Sequence, residues 1–139
     1  MIRISDYIET AFNAMKTVVD KVYLDRPASV SDKVSTYAVV SCQSGIENNE
    51  LNPDGVLDFY TTTISIDIFV KDKVTSQKTN QMNIKKFDEL TKSTFSLFPI
   101  INKEKNIMIH LPRIVYNGTD GTGWHYSLIT ARLTTYINN

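Results

Sequence analysis

The segment Tyr60 to Val70, YTTTISIDIFV, constrains the fold more than any other stretch. Read as a strand, it places Tyr60, Thr62, Ile64, Ile66, Ile68 and Val70 on one face. Thr61, Thr63, Ser65 and Asp67 fall on the other, with Phe69 as the exception. Strand side chains alternate between faces, so this period of two predicts one dry face and one wet face rich in Thr and Ser. A second long alternation, HYSLITARLTTYI from His125 to Ile137, closes the chain. A sheet with a dry face needs a layer to cover it, and two helical stripes are available.

The first stripe is Ile8, Ala11, Phe12, Met15, Val18, Val19 and Val22, at the spacing of one helix face. It predicts a helix that begins after Ser5 as cap, with Asp6 and Glu9 suited to the positive helix end. Asp25-Arg26-Pro27 ends it, because the residue before proline avoids helix. Val22 to Leu24 reads as already extended. The second helix is expected from about Asn80, its cap, to Phe98, with Ile84, Phe87, Leu90, Thr91, Thr94 and Phe98 inward and Pro99 as its stop. Thr36 to Ser44 and Ile107 to Val115 read as further strands. Pro112 has no amide hydrogen, so the latter is either an edge strand or bulged there. Ala28 to Ser35, Gly45 to Asp58, Lys71 to Thr79 and Asn117 to Gly123 read as loops and turns, with Asn-Pro and Asp-Gly signals in the second.

The expected fold is therefore one α+β domain over residues 1–139. It has an antiparallel sheet of about four strands and two helices packed on one face, in the order helix-strand-strand-helix-strand-strand. At 139 residues a chain buries roughly two thirds of its unfolded surface, enough for its own core.

Composition narrows function by exclusion. Fifteen Lys and Arg balance fifteen Asp and Glu, without the basic excess of a nucleic-acid binder. The single cysteine, Cys42, excludes an internal disulfide and a cysteine pair for zinc, and reads as a small strand hydrophobe. Asp6 and Glu9 interrupt the apolar run that a signal peptide requires, and FSLFPII is too short to span a bilayer. These features predict a soluble protein made in the cytoplasm. The two histidines, His110 and His125, fall on neighbouring strands without a positioned carboxylate, which is poor metal chemistry. No nucleophile elbow or phosphate loop occurs. Asp54, Asp58, Asp67 and Asp120 are dispersed, three of them in or beside turns, where Asp is favoured. The expectation is no catalysis, no cofactor and no metal.

Contact residues are legible only in outline. The loop Gly45–Asp58 (with Glu47, Asn49, Asn52 and Asp54) and the loop Lys71–Thr79 (with Lys71, Lys73 and Lys78) are candidate interface segments. Trp124, beside a glycine-rich turn, is either a contact anchor or a staple holding that turn to the sheet.

The stretches ISDYIETAFNAM, RPASVSDKVSTYAVVSC, YTTTISIDIFVKD before a helix, and GWHYSLITARLTTYI together resemble the tail terminator and tail completion proteins of long-tailed bacteriophages and prophages. The resemblance spans nearly the whole chain as a pattern of elements, without a diagnostic motif. It implies a small virion structural protein made in the host cytoplasm and carried in the virion tail. It implies a ring, commonly a hexamer, that caps the tail tube, ends its polymerisation and helps join tail to head. The implied partners are further copies of the chain, the tail tube protein and a head-completion or connector protein. Two other classes fit the residues: another head-tail connector module, and a small ligand-binding or enzymatic α+β domain.

Overall fold

The computed structural model describes residues 4–42, 47–51, 57–74 and 80–136. Helix α1 (Ile4–Met15) opens the fold, followed by strands β1 (Lys21–Tyr23), β2 (Thr36–Ser41), β3 (Glu47–Leu51), β4 (Leu57–Lys71), β5 (Lys73–Val74) and β6 (Asn80–Gln81). Helix α2 (Ile84–Phe95) and strands β7 (Ile100–Asn102), β8 (Ile107–Thr119) and β9 (Trp124–Tyr136) complete it. The main sheet has seven strands in the order β1-β2-β4-β9-β8-β7, with β3 paired to the start of β4. β1 runs parallel to β2, whereas the other pairings are antiparallel. β5 and β6 form a separate two-stranded ribbon.

This corrects the expected fold class. The protein is mostly β, and its sheet is mixed and curls into a half-barrel, rather than a four-stranded antiparallel layer under two helices. The extra strands were hidden for physical reasons. β1 and β7 have three residues each, too few to display a period. β3 carries the sequence ENNEL, whose polar residues resemble a loop, so the expected loop Gly45–Asp58 is partly a strand. Lys71–Thr79 likewise contains β5, paired to β6.

α1 stops at Met15, yet Val19 and Val22 of its stripe remain buried. A turn and then β1 keep them on the core, which a helical spacing cannot distinguish from a continued helix. Asp20 sets this turn: its carboxylate accepts hydrogen bonds from the Ser35 and Thr36 amides at 2.9 and 3.2 Å. Those bonds, led by the Ser35 amide, hold the Asp20 carboxyl below its ordinary pKa despite partial desolvation. Ser5 lies inside α1 rather than capping it. α2 is shorter than expected, and its cap is Asn83, whose side chain accepts from the Lys86 amide at 3.3 Å.

Ile64, Ile66, Ile68 and Val70 of β4 face Ile129, Ala131 and Leu133 of β9 in one apolar cluster. Tyr7, Ala11 and Met15 of α1 and Phe87 and Leu90 of α2 close over it. Ile84, expected inward, is exposed. Asn102 donates to the Thr10 hydroxyl at 3.0 Å, tying β7 to α1.

β8 carries the expected irregularity as a bulge. His110 pairs with Arg132 but Arg113 pairs with Thr130, so one extra residue is inserted. An inserted residue reverses the strand's facing pattern. Ile107 and Ile109 are buried before the bulge, Leu111 is 65% exposed within it, and Ile114 takes the inward place after it. Leu111 has a φ of 54°, a region that costs a branched residue about 1–2 kcal/mol. Leu111→Gly is therefore expected to leave stability unchanged or raise it by up to about 1 kcal/mol, after the flexibility of glycine is offset. A urea melt showing a loss above that size would mean the Leu111 side chain contributes packing that its exposure denies.

Candidate functional site

The sheet face away from the main core is not wet along its whole length. Phe69, the exception in the β4 alternation, is the centre of a second apolar cluster with Tyr37 and Val39 of β2. Its ring stacks on Tyr37 at 4.3 Å and on Tyr126 of β9 at 4.9 Å between centroids. Register explains the stack: Tyr37, Phe69 and Tyr126 are direct cross-strand partners on three adjacent strands. Trp124 meets Tyr37 edge-on at 4.8 Å. Val30 and Val34, from the segment expected to be a small polar loop, pack against this cluster.

Arg26 lies over the stack, with its guanidinium carbon 5.4 Å from the Phe69 centroid and 5.6 Å from that of Tyr126. A guanidinium over aromatic faces is attracted by the ring quadrupole. The same group pairs with Asp120 at 3.4 Å. Asp120 sits in the β8–β9 turn and accepts from the Thr122 amide at 2.8 Å. Burial raises the Asp120 pKa, but the Thr122 bonds and Arg26 outweigh it and leave the carboxyl below its ordinary value. Tyr37 is 3% exposed. Burial first, and the Asp120 charge second, push its phenol up to about 12.

These groups wall a cleft of about 650 Å³ bordered by Arg26, Ser31, Lys71, Asp120, Thr122 and Trp124. At its edge Asp72 accepts a hydrogen bond from His125, with Nδ1 and Oδ1 2.5 Å apart. The Asp72 side chain is 4% exposed and that of His125 17%. The expectation that neither histidine has a positioned carboxylate is thus corrected for His125. The pair joins the end of β4 to the start of β9, and the Asp72 amide donates to the Gly123 carbonyl at 2.9 Å.

His110 is elsewhere. It meets the Thr134 hydroxyl at 3.0 Å and pairs across the ladder with Arg132, seven residues along β9 from His125. At roughly 3.3 Å per residue this separates the histidines by about 23 Å. Burial, then Arg132, lower the His110 pKa. Among the described residues no group of three or more His, Cys, Asp or Glu could hold a metal. No described helix is long and apolar enough to cross a membrane. Cys42 is only partly buried, just past β2.

The sequence-predicted contact residues fall into two groups. Lys71 and Trp124 are cross-strand partners at one end of the β4–β9 ladder and both line the cleft. Lys71 also donates to the Asp32 carbonyl at 3.3 Å. Lys73 lies nearby in β5 and is exposed. Glu47 and Asn49 lie in β3, which pairs with the opposite end of β4. Asn52, Asp54 and Lys78 lie outside the described residues. The Trp124 ring packs on Tyr37, while its backbone carbonyl accepts from the Thr119 hydroxyl and the Asp120 amide of the turn. Sequence reading missed Arg26, Tyr37 and Tyr126 as members of one site. Phe69 was the available signal, since an aromatic on a wet face needs a cover.

Asp67 is the remaining feature of this face. Burial beside Val39 and Leu128, its cross-strand partners, raises its pKa, with Arg26 only partly opposing. A raised folded pKa favours the protonated acid. That contribution is present below the unfolded pKa near 3.8 and is lost as pH rises through the folded value, so ionised Asp67 costs stability at neutral pH. Asp67→Asn is expected to melt higher than the native chain at pH 7, with the gap closing by pH 3. A gap that does not depend on pH would contradict this.

No protein-family model and no curated protein matches this chain.

Proposed function

We propose that this protein is a ring-forming virion structural subunit of a long-tailed phage or prophage, which caps the tail tube and ends its polymerisation. The observation that carries the reading is the division of the candidate contact residues between opposite ends of β4. A cyclic ring uses head-to-tail contacts, so each copy needs two different surfaces that do not overlap. Glu47 pairs with Thr61 and Trp124 with Lys71. Ten residues of β4 between these positions span about 33 Å, the breadth of a small domain. One surface is the β3–β4 hairpin. The other is the Lys71–Lys73–Trp124 end.

The resemblance to terminator and completion proteins supplies the rest of the reading. The partners are further copies in a ring, six by that resemblance, the tail tube protein, and a head-completion protein. Catalysis has no part in this role, and the Asp72–His125 pair is assigned to structure. The test is a charge reversal at one surface only. Lys71→Glu with Lys73→Glu is expected to abolish ring formation in light scattering across a concentration series, while the melting temperature stays within about 2 °C, because Lys73 is exposed and the half-buried Lys71 loses only a long 3.3 Å bond to the Asp32 carbonyl. Unaltered assembly in that variant would remove this end from the ring contact.

A further inference from the structure

The same outer face carries unmatched charges that the ring contacts do not use. Asp67 lies mid-strand in β4, and its charged neighbour is Arg26, whose guanidinium is held by Asp120. Among the described residues no hydrogen bond or salt bridge satisfies the Asp67 carboxylate. Half-burying a charge without a partner is unfavourable to the isolated chain. Arg132 on the neighbouring strand β9 and Arg113 on β8, two strands from β4, are both exposed on this face. Arg113 pairs with Thr130, and Arg132 follows two residues later along β9. Neither guanidinium has a carboxylate partner among the described residues. Asp67 and Arg113 are two strand spacings apart and two residues offset, about 12 Å, too far to pair within one chain.

We propose that this face is a self-complementary contact between two copies of the chain, in which Asp67 of each copy receives Arg113 of the other across a two-fold axis. A two-fold contact presents the same patch on both partners, so the patch must carry both members of each pair. This one does. The axis crosses β9 between Leu128 and Thr130, midway between the two charges. It brings Leu128 of one copy beside Val115 of the other, and Val115 is 43% exposed. A partner of a single charge sign would satisfy one of Asp67 and Arg113 and repel the other; a second copy satisfies both. The contact is separate from the head-to-tail surfaces at the ends of β4 and does not rest on the ring reading.

The test uses two charge reversals in the full chain, Asp67→Arg and Arg113→Asp, followed by sedimentation velocity at low ionic strength. The native chain is expected to pair face to face, more weakly as salt is added. Each variant alone should pair at least tenfold more weakly. An equimolar mixture of the two should regain pairing, because opposite charges again meet at both contacts. Melting curves establish that each variant is folded, and recovery on mixing could not come from a misfolded chain. A native chain that never pairs, a single variant that pairs as well as the native chain, or a mixture that fails to recover would each overturn the proposal.

Discussion

Phe69→Ala is expected to lower the unfolding free energy by about 3–5 kcal/mol, the range for deleting a fully buried aromatic. Phe69 is 1% exposed, although its same-face neighbours along β4, Thr63, Ser65 and Asp67, are polar. The loss has three sources. Its apolar surface would no longer be withdrawn from water, two ring stacks would vanish, and Arg26 would lose one of the faces beneath it. A stacked aromatic pair is worth roughly 0.5–1.5 kcal/mol beyond its buried area. The cavity would lie beneath Arg26 and the 25–35 segment rather than inside the main core, so the cleft is expected to loosen first. Urea melts give the global figure, and a change under about 1 kcal/mol would mean that the second cluster is a surface decoration.

His125→Ala is expected to cost about 2–4 kcal/mol, because it leaves the 4%-exposed Asp72 carboxylate without its partner. Breaking a buried pair from one side is more damaging than its net worth, since the remaining charge stays desolvated. Asp72→Ala with His125→Ala together should therefore lose less than the sum of the two single changes. A double-mutant cycle measures that coupling directly. Strictly additive losses would mean that the two side chains do not act as a pair.

Long elements were legible because their periods are long. The residues Ile64 to Val70 declare both a strand and its inward face, and the stripes of α1 and α2 declare two amphipathic helices. What failed was sheet size and shape. Three-residue strands have no period, the parallel β1–β2 pairing is a property of the chain's path, and ENNEL forms a strand against propensity because the start of β4 offers it a ladder. The facing pattern of β8 changes beyond Ile109 for a local reason, one inserted residue at Leu111-Pro112. The candidate site was legible only as fragments. Lys71 and Trp124 come together because β4 and β9 share a register, whereas Arg26 reaches the aromatic stack through a segment whose sequence, RPASVSDK, carries no periodic signal.

The central claim, that each copy has two separate surfaces through which it closes a ring on the tail tube, is tested most directly by negative-stain imaging of polymerising cognate tube protein with and without this protein. Rings seated on tube ends, together with tubes that stop lengthening once capped, are the predicted result. Bare tube ends and undiminished growth, with the protein remaining monomeric at every concentration, would contradict it.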